Sequence, residues 1–453
     1  MLRKEMRHAH DGVFQSLRLS EWDTCEIEGV VLTDEDRLLA KELSVDPAKR
    51  LVIEELRDRT RIQSTSWIGV VRLHHLEIQV LPKLAGENLG VLEMIEQTRG
   101  LDSLSRPPSL RTLNTEGSNL YDLCALLLTE QCERILRGGI LADYVEEEDS
   151  LPVLRGRLLV DRQLRQRFGQ IDKVICRYDE YHQNIKENQI LAFALDFCSR
   201  RVQHPSIARR TRQVSAIFRE VCEWTNLDRE RCWEDLFYHR MNEHYRPAHQ
   251  LAKLLVYGGG VTNLYDKGST NCFAFLIDMN LLFERFILHL LQVALDLQQV
   301  KILYQHRERS ILWDTQYNRP YRKVIPDFLV AQLGEEDARL PIDAKYKLYD
   351  ESKVQPADIY QMFLYAYAFS NPVYTPQAVL IFPSERSEGF SHCLEVRSLT
   401  GDPKASICVL GIHIPTFLAE LKSGYSGIAL KRLGRIITEH LQLSVRDRLE
   451  STV

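Results

Sequence analysis

The chain has 453 residues, with 63 acidic against 58 basic side chains and a net charge of −5. That length points to roughly two to four domains with ample core. The negative balance excludes tight nucleic-acid binding through overall charge alone, so any such affinity would need a local patch or a partner.

In chain order, residues 1–98 are expected to form a strand-rich N-terminal domain. A linker follows over 99–118, marked by the Pro, Ser, Thr and Gly of Leu101–Ser118. Residues 119–260 are expected to be a helical middle region, because helical periodicity dominates Leu120–Leu136 and Asn188–Trp224. Within it, the acidic run Glu146–Asp149 is expected in a loop. The arginine-rich stretches Arg155–Arg167 and Arg200–Arg212 are open to three readings: solvated faces, DNA contacts or partner contacts. The run Gly258–Gly260 lacks the Lys and Ser/Thr of a phosphate loop and reads as a turn. No GxxxxGK[ST] motif occurs, so no nucleotide is expected on this chain. Residues 261–421 form a third region, and 422–453 a helical C-terminal tail.

The ten cysteines include no CxxC pair and no Cys/His spacing typical of zinc. Scattered thiols without a signal peptide point to a reducing cytoplasm. The longest apolar run, Leu281–Leu295, carries Glu284, Arg285 and His289, so no membrane span is expected.

The chemistry concentrates in 261–421. Lys323–Val330 (KVIPDFLV) and Leu340–Lys347 (LPIDAKYK) read as two strands joined by a polar connector, an antiparallel hairpin. This would bring Asp327 and Asp343 together, with Lys345 on the same strand face as Asp343. Two carboxylates suit Mg²⁺, which takes oxygen ligands, and the ammonium suits stabilisation of a phosphoryl transition state. A surface hairpin of solvated charges would show the same local pattern. Asp278–Leu297 is expected to be a helix that places Glu284 on an apolar stripe with Leu288, Leu291 and Leu295. A buried carboxylate needs a partner, which either a metal or an unidentified base would supply. Asp358–Phe369, started by Pro356, is a second helix with Gln361 and Tyr365 on one face. Taken alone, Tyr365 reads as a core aromatic. Strands are expected at Ala378–Phe382, Cys393–Val396 and Ile407–Ile414.

This order of helix, strand, strand, helix and strand resembles the PD-(D/E)xK nuclease superfamily, with Glu284, Asp327, Asp343 and Lys345 at its motif positions. The Gln361-x-x-x-Tyr365 helix is similar to the extra motif of RecB-like members. Within the superfamily, FLIDMNLLFERF (275–286), IPDFLV (325–330), DAKYK (343–347) and DIYQMFLYA (358–366) resemble the McrC family. WIGVVRLHHLEIQVLPK (67–83) and NIKENQILAFAL (184–195) are also similar to that family.

The resemblance implies an α+β, multidomain chain. Its N-terminal domain would contact a GTPase partner, its middle would be helical, and a restriction-endonuclease-like α/β nuclease core would occupy 261–421. It further implies a DNA endonuclease subunit of a modification-dependent restriction system, serving antiviral defence. Its partners would be a McrB-like AAA+ GTPase ring, whose hydrolysis it stimulates, and double-stranded, modified DNA. Mg²⁺ would be the cofactor, with Mn²⁺ as a substitute. Asp327, Asp343 and Glu284 would hold the metal, Lys345 would act as the catalytic lysine and Gln361 would join the catalytic set. Tyr365 would support the site or touch DNA. The alternatives are a standalone RecB-like DNA repair nuclease and a non-cutting activator of the GTPase.

Overall fold

In the computed structural model the described residues are 4–9, 12–45, 49–85, 87–98, 119–169, 172–224, 227, 232–234, 236–257, 272–334, 339–350, 353–370, 375–424 and 427–446. The expected linker at 99–118 and the glycine run at 258–260 lie outside them. The chain divides into two compact units, residues 1–102 with 267–453 and residues 103–266. Among the described residues no helix is long and apolar enough to cross a membrane.

The first unit contains a five-stranded sheet in the order Lys4–Ala9, Gly12–Ser20, Leu76–Leu81, Trp67–Arg72, Phe273–Asp278. Its last strand comes from the stretch placed at the start of the third region. Trp67–Arg72 offers an open hydrogen-bonding edge, and pairing there requires no nearness in sequence. Gly69 makes the approach possible: its φ is +139°, and a Cβ there would meet Phe275 O at 2.0 Å. A small antiparallel sheet of Thr24–Glu28, Arg59–Ser64 and Leu51–Glu55 accompanies it.

The same unit holds a six-stranded sheet in the order Val300–Tyr304, Phe328–Gln332, Arg339–Ala344, Gln377–Pro383, Pro403–Ile412, Phe390–Arg397. The expected hairpin is present, with Phe328 opposite Ile342 in antiparallel register. Arg339–Ala344 then pairs in parallel with Gln377–Pro383, and the helix Pro356–Phe369 makes the crossover that parallel pairing requires. Gln377–Pro383 is buried throughout, as a strand covered on both faces must be. Asp343 stands beside Leu380 in the register. Leu380 belongs to the core cluster that also holds Met362, Tyr365 and Phe369, so Asp343 points toward the Pro356–Phe369 helix.

Three expectations about local structure change here. KVIPDFLV is not one strand: Arg319–Val324 pairs with Glu308–Asp314 in a separate two-stranded ribbon, and the sheet strand starts at Phe328. Pro326 has no N–H to give a ladder, so the break falls around it. The first helix spans Met279–Ala294, with the Asp278 side chain capping Asn280 N–H. Its buried stripe is Leu282, Phe283, Phe286, Ile287, Leu290 and Leu291, whereas Glu284 is only half-buried at the edge of that stripe.

The second unit contains the helices Leu120–Gly138, Lys186–Ser199, Pro205–Val221 and Arg246–Tyr257. It is not purely helical, because Asp143–Leu151, Val174–His182 and Arg157–Leu158 form a sheet. The acidic run therefore lies in a strand rather than a loop. Glu148 accepts from Arg177 across the ladder at 2.9 Å and also pairs with Arg162, so opposite charges on facing strands stabilise what reads as a charge run. Part of each arginine stretch is engaged within the unit. Arg155 pairs with Glu180, Arg200 with Asp196, and Arg210 with Glu130 and Glu133.

Candidate active site

Asp327 occupies the residue before its sheet strand, held from both sides of its backbone and side chain. Its carbonyl accepts Gln305 N–H at 2.8 Å, and its Oδ2 accepts Ala344 N–H at 2.8 Å. That second bond crosses to the neighbouring strand and sets Asp327 beside Asp343. Asp343 is 1% exposed. Lys345 follows the strand end, anchored by its N–H to Ile381 O at 2.9 Å, and its Nζ lies 2.6 Å from Asp343 Oδ2.

The electrostatics show two acids competing for one pocket. Burial raises Asp327, and the charge of Asp343 raises it further; Glu284 adds a smaller push in the same direction. Burial also raises Asp343, against the pull of Lys345. Burial alone would lower Lys345, but the Asp343 carboxylate outweighs it and holds the ammonium above its ordinary value. Neither Asp343 oxygen has a hydrogen bond of good geometry among the described residues, despite the nearby ammonium. A buried carboxylate in that condition is what a hard divalent cation compensates, and Asp327 and Glu284 beside it offer further oxygen donors of the kind it prefers.

Glu284 reaches this neighbourhood from its helix, where Oε1 accepts from Gln305 Nε2 at 2.9 Å. Gln305 has a φ of 47°, in the left-handed region, and joins Glu284 through its side chain to Asp327 through its backbone. The partners of Glu284 seen here are thus neutral groups, the Gln305 amide and the Tyr304 hydroxyl. Gln361 Nε2 donates to Tyr365 OH at 2.8 Å, and that hydroxyl donates to Ile325 O at 2.9 Å. Tyr365 is therefore more than a core aromatic: it fixes the backbone two residues before Asp327.

The fold adds residues that the sequence reading did not single out. Asp358, in the first turn of the Pro356–Phe369 helix, is 6% exposed and accepts from Lys347 Nζ at 3.0 Å and from Tyr349 OH. Burial would raise Asp358, but the bonds from Tyr349 and Lys347 more than offset it and hold the carboxyl below its ordinary value. The continuing alternation Asp343, Lys345, Lys347 was the available signal for the lysine. Nothing local marked Gln305. Elsewhere, Cys393, Cys408 and His440 come within 4.8 Å of one another, as do Glu35, His74 and Cys272. Both groups unite residues too far apart in sequence for any spacing rule.

The family description "McrBC 5-methylcytosine restriction system component" matches residues 62–383. No curated protein matches the chain. Among solved structures, a chain of the refined half-complex from a tetradecameric assembly of Thermococcus gammatolerans McrB AAA+ hexamers with bound McrC has a TM-score of 0.63. It is 20% identical, and the match covers 94% of this chain and 99% of that one. A chain of the Thermococcus gammatolerans McrBC complex has a TM-score of 0.44 and 21% identity, covering 62% of this chain and 88% of that one. The first likeness shows a shared fold over nearly the whole length of both chains. The family match extends from the N-terminal sheet through the acid cluster and takes in well over half the residues, so the chain belongs to the McrBC 5-methylcytosine restriction system component family.

Proposed function

We propose that this chain is the McrC-type nuclease subunit of a modification-dependent restriction system, a Mg²⁺-dependent DNA endonuclease. On this reading the six-stranded sheet with its flanking helices is a PD-(D/E)xK core. The observation that carries it is the pairing of half-buried Asp327 with buried Asp343, with Lys345 Nζ 2.6 Å from Asp343 Oδ2. Family membership and a fold shared with a chain from an assembly of McrB hexamers with bound McrC support docking on a McrB-like AAA+ GTPase ring. The family's description supports a modified-cytosine target.

Asp327 and Asp343 would hold the cation, with Glu284 contributing from the helix side. When bound, a divalent ion neutralises charge on the phosphodiester and acidifies water. The other roles belong to the chain itself. Lys345, kept protonated by Asp343, places a positive charge where charge develops on the phosphoryl oxygens. Tyr365 and Gln361 hold the Ile325–Pro326 segment so that Asp327 stays in register with Ala344. Gln305 positions Glu284 against the same aspartate.

Cleavage of methylated and unmethylated plasmid with Mg²⁺ and GTP, by the chain alone and with a McrB-like partner, tests this reading. Cutting that needs methylation and partner, and disappears in Asp343→Ala, is expected. Cutting by the chain alone, indifferent to both, would mark a repair nuclease. GTPase stimulation without any cutting would mark an activator.

A further inference from the structure

The ribbon Glu308–Asp314/Arg319–Val324 leaves the acid cluster and returns to it. Its first leg follows Gln305, which bonds both Asp327 and Glu284, and its second leg runs through Val324, Ile325 and Pro326 into Asp327. At the root, Val324 is buried in the core cluster, and Ile311 and Leu312 pack against that cluster. Beyond the root every residue of Arg319–Lys323 is exposed. The ladder is irregular between the pairs Leu312–Arg322 and Trp313–Pro320, a bulge at Tyr321, so alternation holds over Arg322–Val324 and puts Lys323 on the face opposite Val324.

The charge of this arm departs from that of the chain. Arg307, Arg309, Arg319, Arg322 and Lys323 are all exposed, and none forms an ion pair among the described residues. Arg319 packs over the Tyr317 ring instead, 5.1 Å from its centroid. The arm's two acids are turned onto its own backbone. Glu308 accepts from the N–H groups of Arg309 and Ser310, and Asp314 accepts from those of Gln316 and Tyr317. The exposed cations are thus left without internal neutralisation in a chain of net charge −5. In the middle region, by comparison, Arg155, Arg162, Arg167, Arg200 and Arg210 are ion-paired within their own unit.

The geometry points to this ribbon as a double-stranded-DNA clamp that lays the duplex backbone beside the acid cluster. The inference rests on the nuclease reading for the reason the arm stands there. Lysine and arginine on such an arm neutralise phosphates and release counterions. A two-stranded ribbon is also of a size that the major groove admits. Tyr321, 67% exposed, offers a hydroxyl to the phosphate backbone.

The test is binding of the full chain to a fluorescein-labelled duplex in EDTA, where no cutting can occur, measured by anisotropy across about 50 to 200 mM salt. Wild type is compared with the triple variant Arg319→Ala, Arg322→Ala, Lys323→Ala, whose exposed positions leave the melting temperature unchanged. The variant should lose about tenfold or more in affinity at the low-salt end, and its log–log salt slope should shrink by about 2 to 3, near 0.9 per lost phosphate contact. Equal Kd and slope in the two proteins would overturn the clamp, as would a wild type that does not bind duplex at low salt. Unchanged DNA binding with loss of docking on the GTPase ring would overturn it in favour of a protein contact. Because binding is read without metal, the outcome is separable from the nuclease reading. A wild type that cuts while the variant binds normally sinks only the clamp; a wild type that never cuts while the variant loses binding sinks only the nuclease.

Discussion

The hydroxyl of Tyr346 donates a 3.0 Å hydrogen bond to Oε2 of Glu21, a carboxyl 325 residues earlier in the chain. Tyr346 lies between Lys345 and Lys347, while Glu21 follows the Gly12–Ser20 strand and is fully buried. Lys83 N–H donates to the same oxygen at 2.8 Å. The segment that carries Lys345 is therefore tied to the N-terminal sheet through one buried carboxyl.

That carboxyl should make stability depend on pH. Burial pushes Glu21 up to about 7, although the bonds from Lys83 and Tyr346 pull the other way; its ordinary value is 4.5. The folded state then binds the proton more tightly than the unfolded state. The stabilisation is fully present below about pH 4.5 and is lost as pH rises through about 7, amounting to about 3 kcal/mol at most. Glu21→Gln should flatten this part of the profile in metal-free buffer. Urea midpoints at about pH 5 and about pH 8 check it, and a variant that keeps the full wild-type slope would show that Glu21 is already charged in the fold.

Divalent metal should stabilise the chain through Asp327 and Asp343. With free Mg²⁺ at about 100 times its Kd, linkage adds about 2.7 kcal/mol, a rise in melting temperature readable by calorimetry. Asp343→Ala and Asp327→Ala should each lose most of that rise. A shift of the same size in all three proteins would place the ion elsewhere.

Lys345→Ala should separate chemistry from metal holding. The ammonium contacts Asp343 without being a metal donor, so the Mg²⁺-dependent shift should survive. Single-turnover cutting should fall by about 10² to 10³, the scale for losing one preorganised charge in an active site. Wild-type cutting in this variant would remove Lys345 from the catalytic set.

Asp358→Ala tests the network beyond the acid pair. Lys347 is 45% exposed and can return to water, but the Tyr349 hydroxyl would be left buried without its acceptor. The expected destabilisation is about 1 to 3 kcal/mol. Chemical denaturation measures it, and no change in midpoint would mean that the hydroxyl finds another partner.

Local chemistry in the sequence was enough to determine the hairpin, the Pro356–Phe369 helix and the nearness of Asp327, Asp343 and Lys345. Strand alternation, a proline start signal and a two-residue offset are all short-range properties, and they survive folding unchanged. Where the reading failed, the deciding partner was distant. Glu146–Asp149 became a strand because Arg177 faces it across the ladder, and Phe273–Asp278 joined the N-terminal sheet because Trp67–Arg72 offered an edge and Gly69 offered space. KVIPDFLV looked continuous, yet a ribbon claimed its first part and the central sheet its last. Gln305 and Glu21 carried no local sign of their roles, since each acts on groups brought to it only by packing. Periodicity and residue type determine what a segment can do; tertiary structure decides which distant donor or acceptor satisfies it, because buried polar groups must be paired and the fold selects the partner.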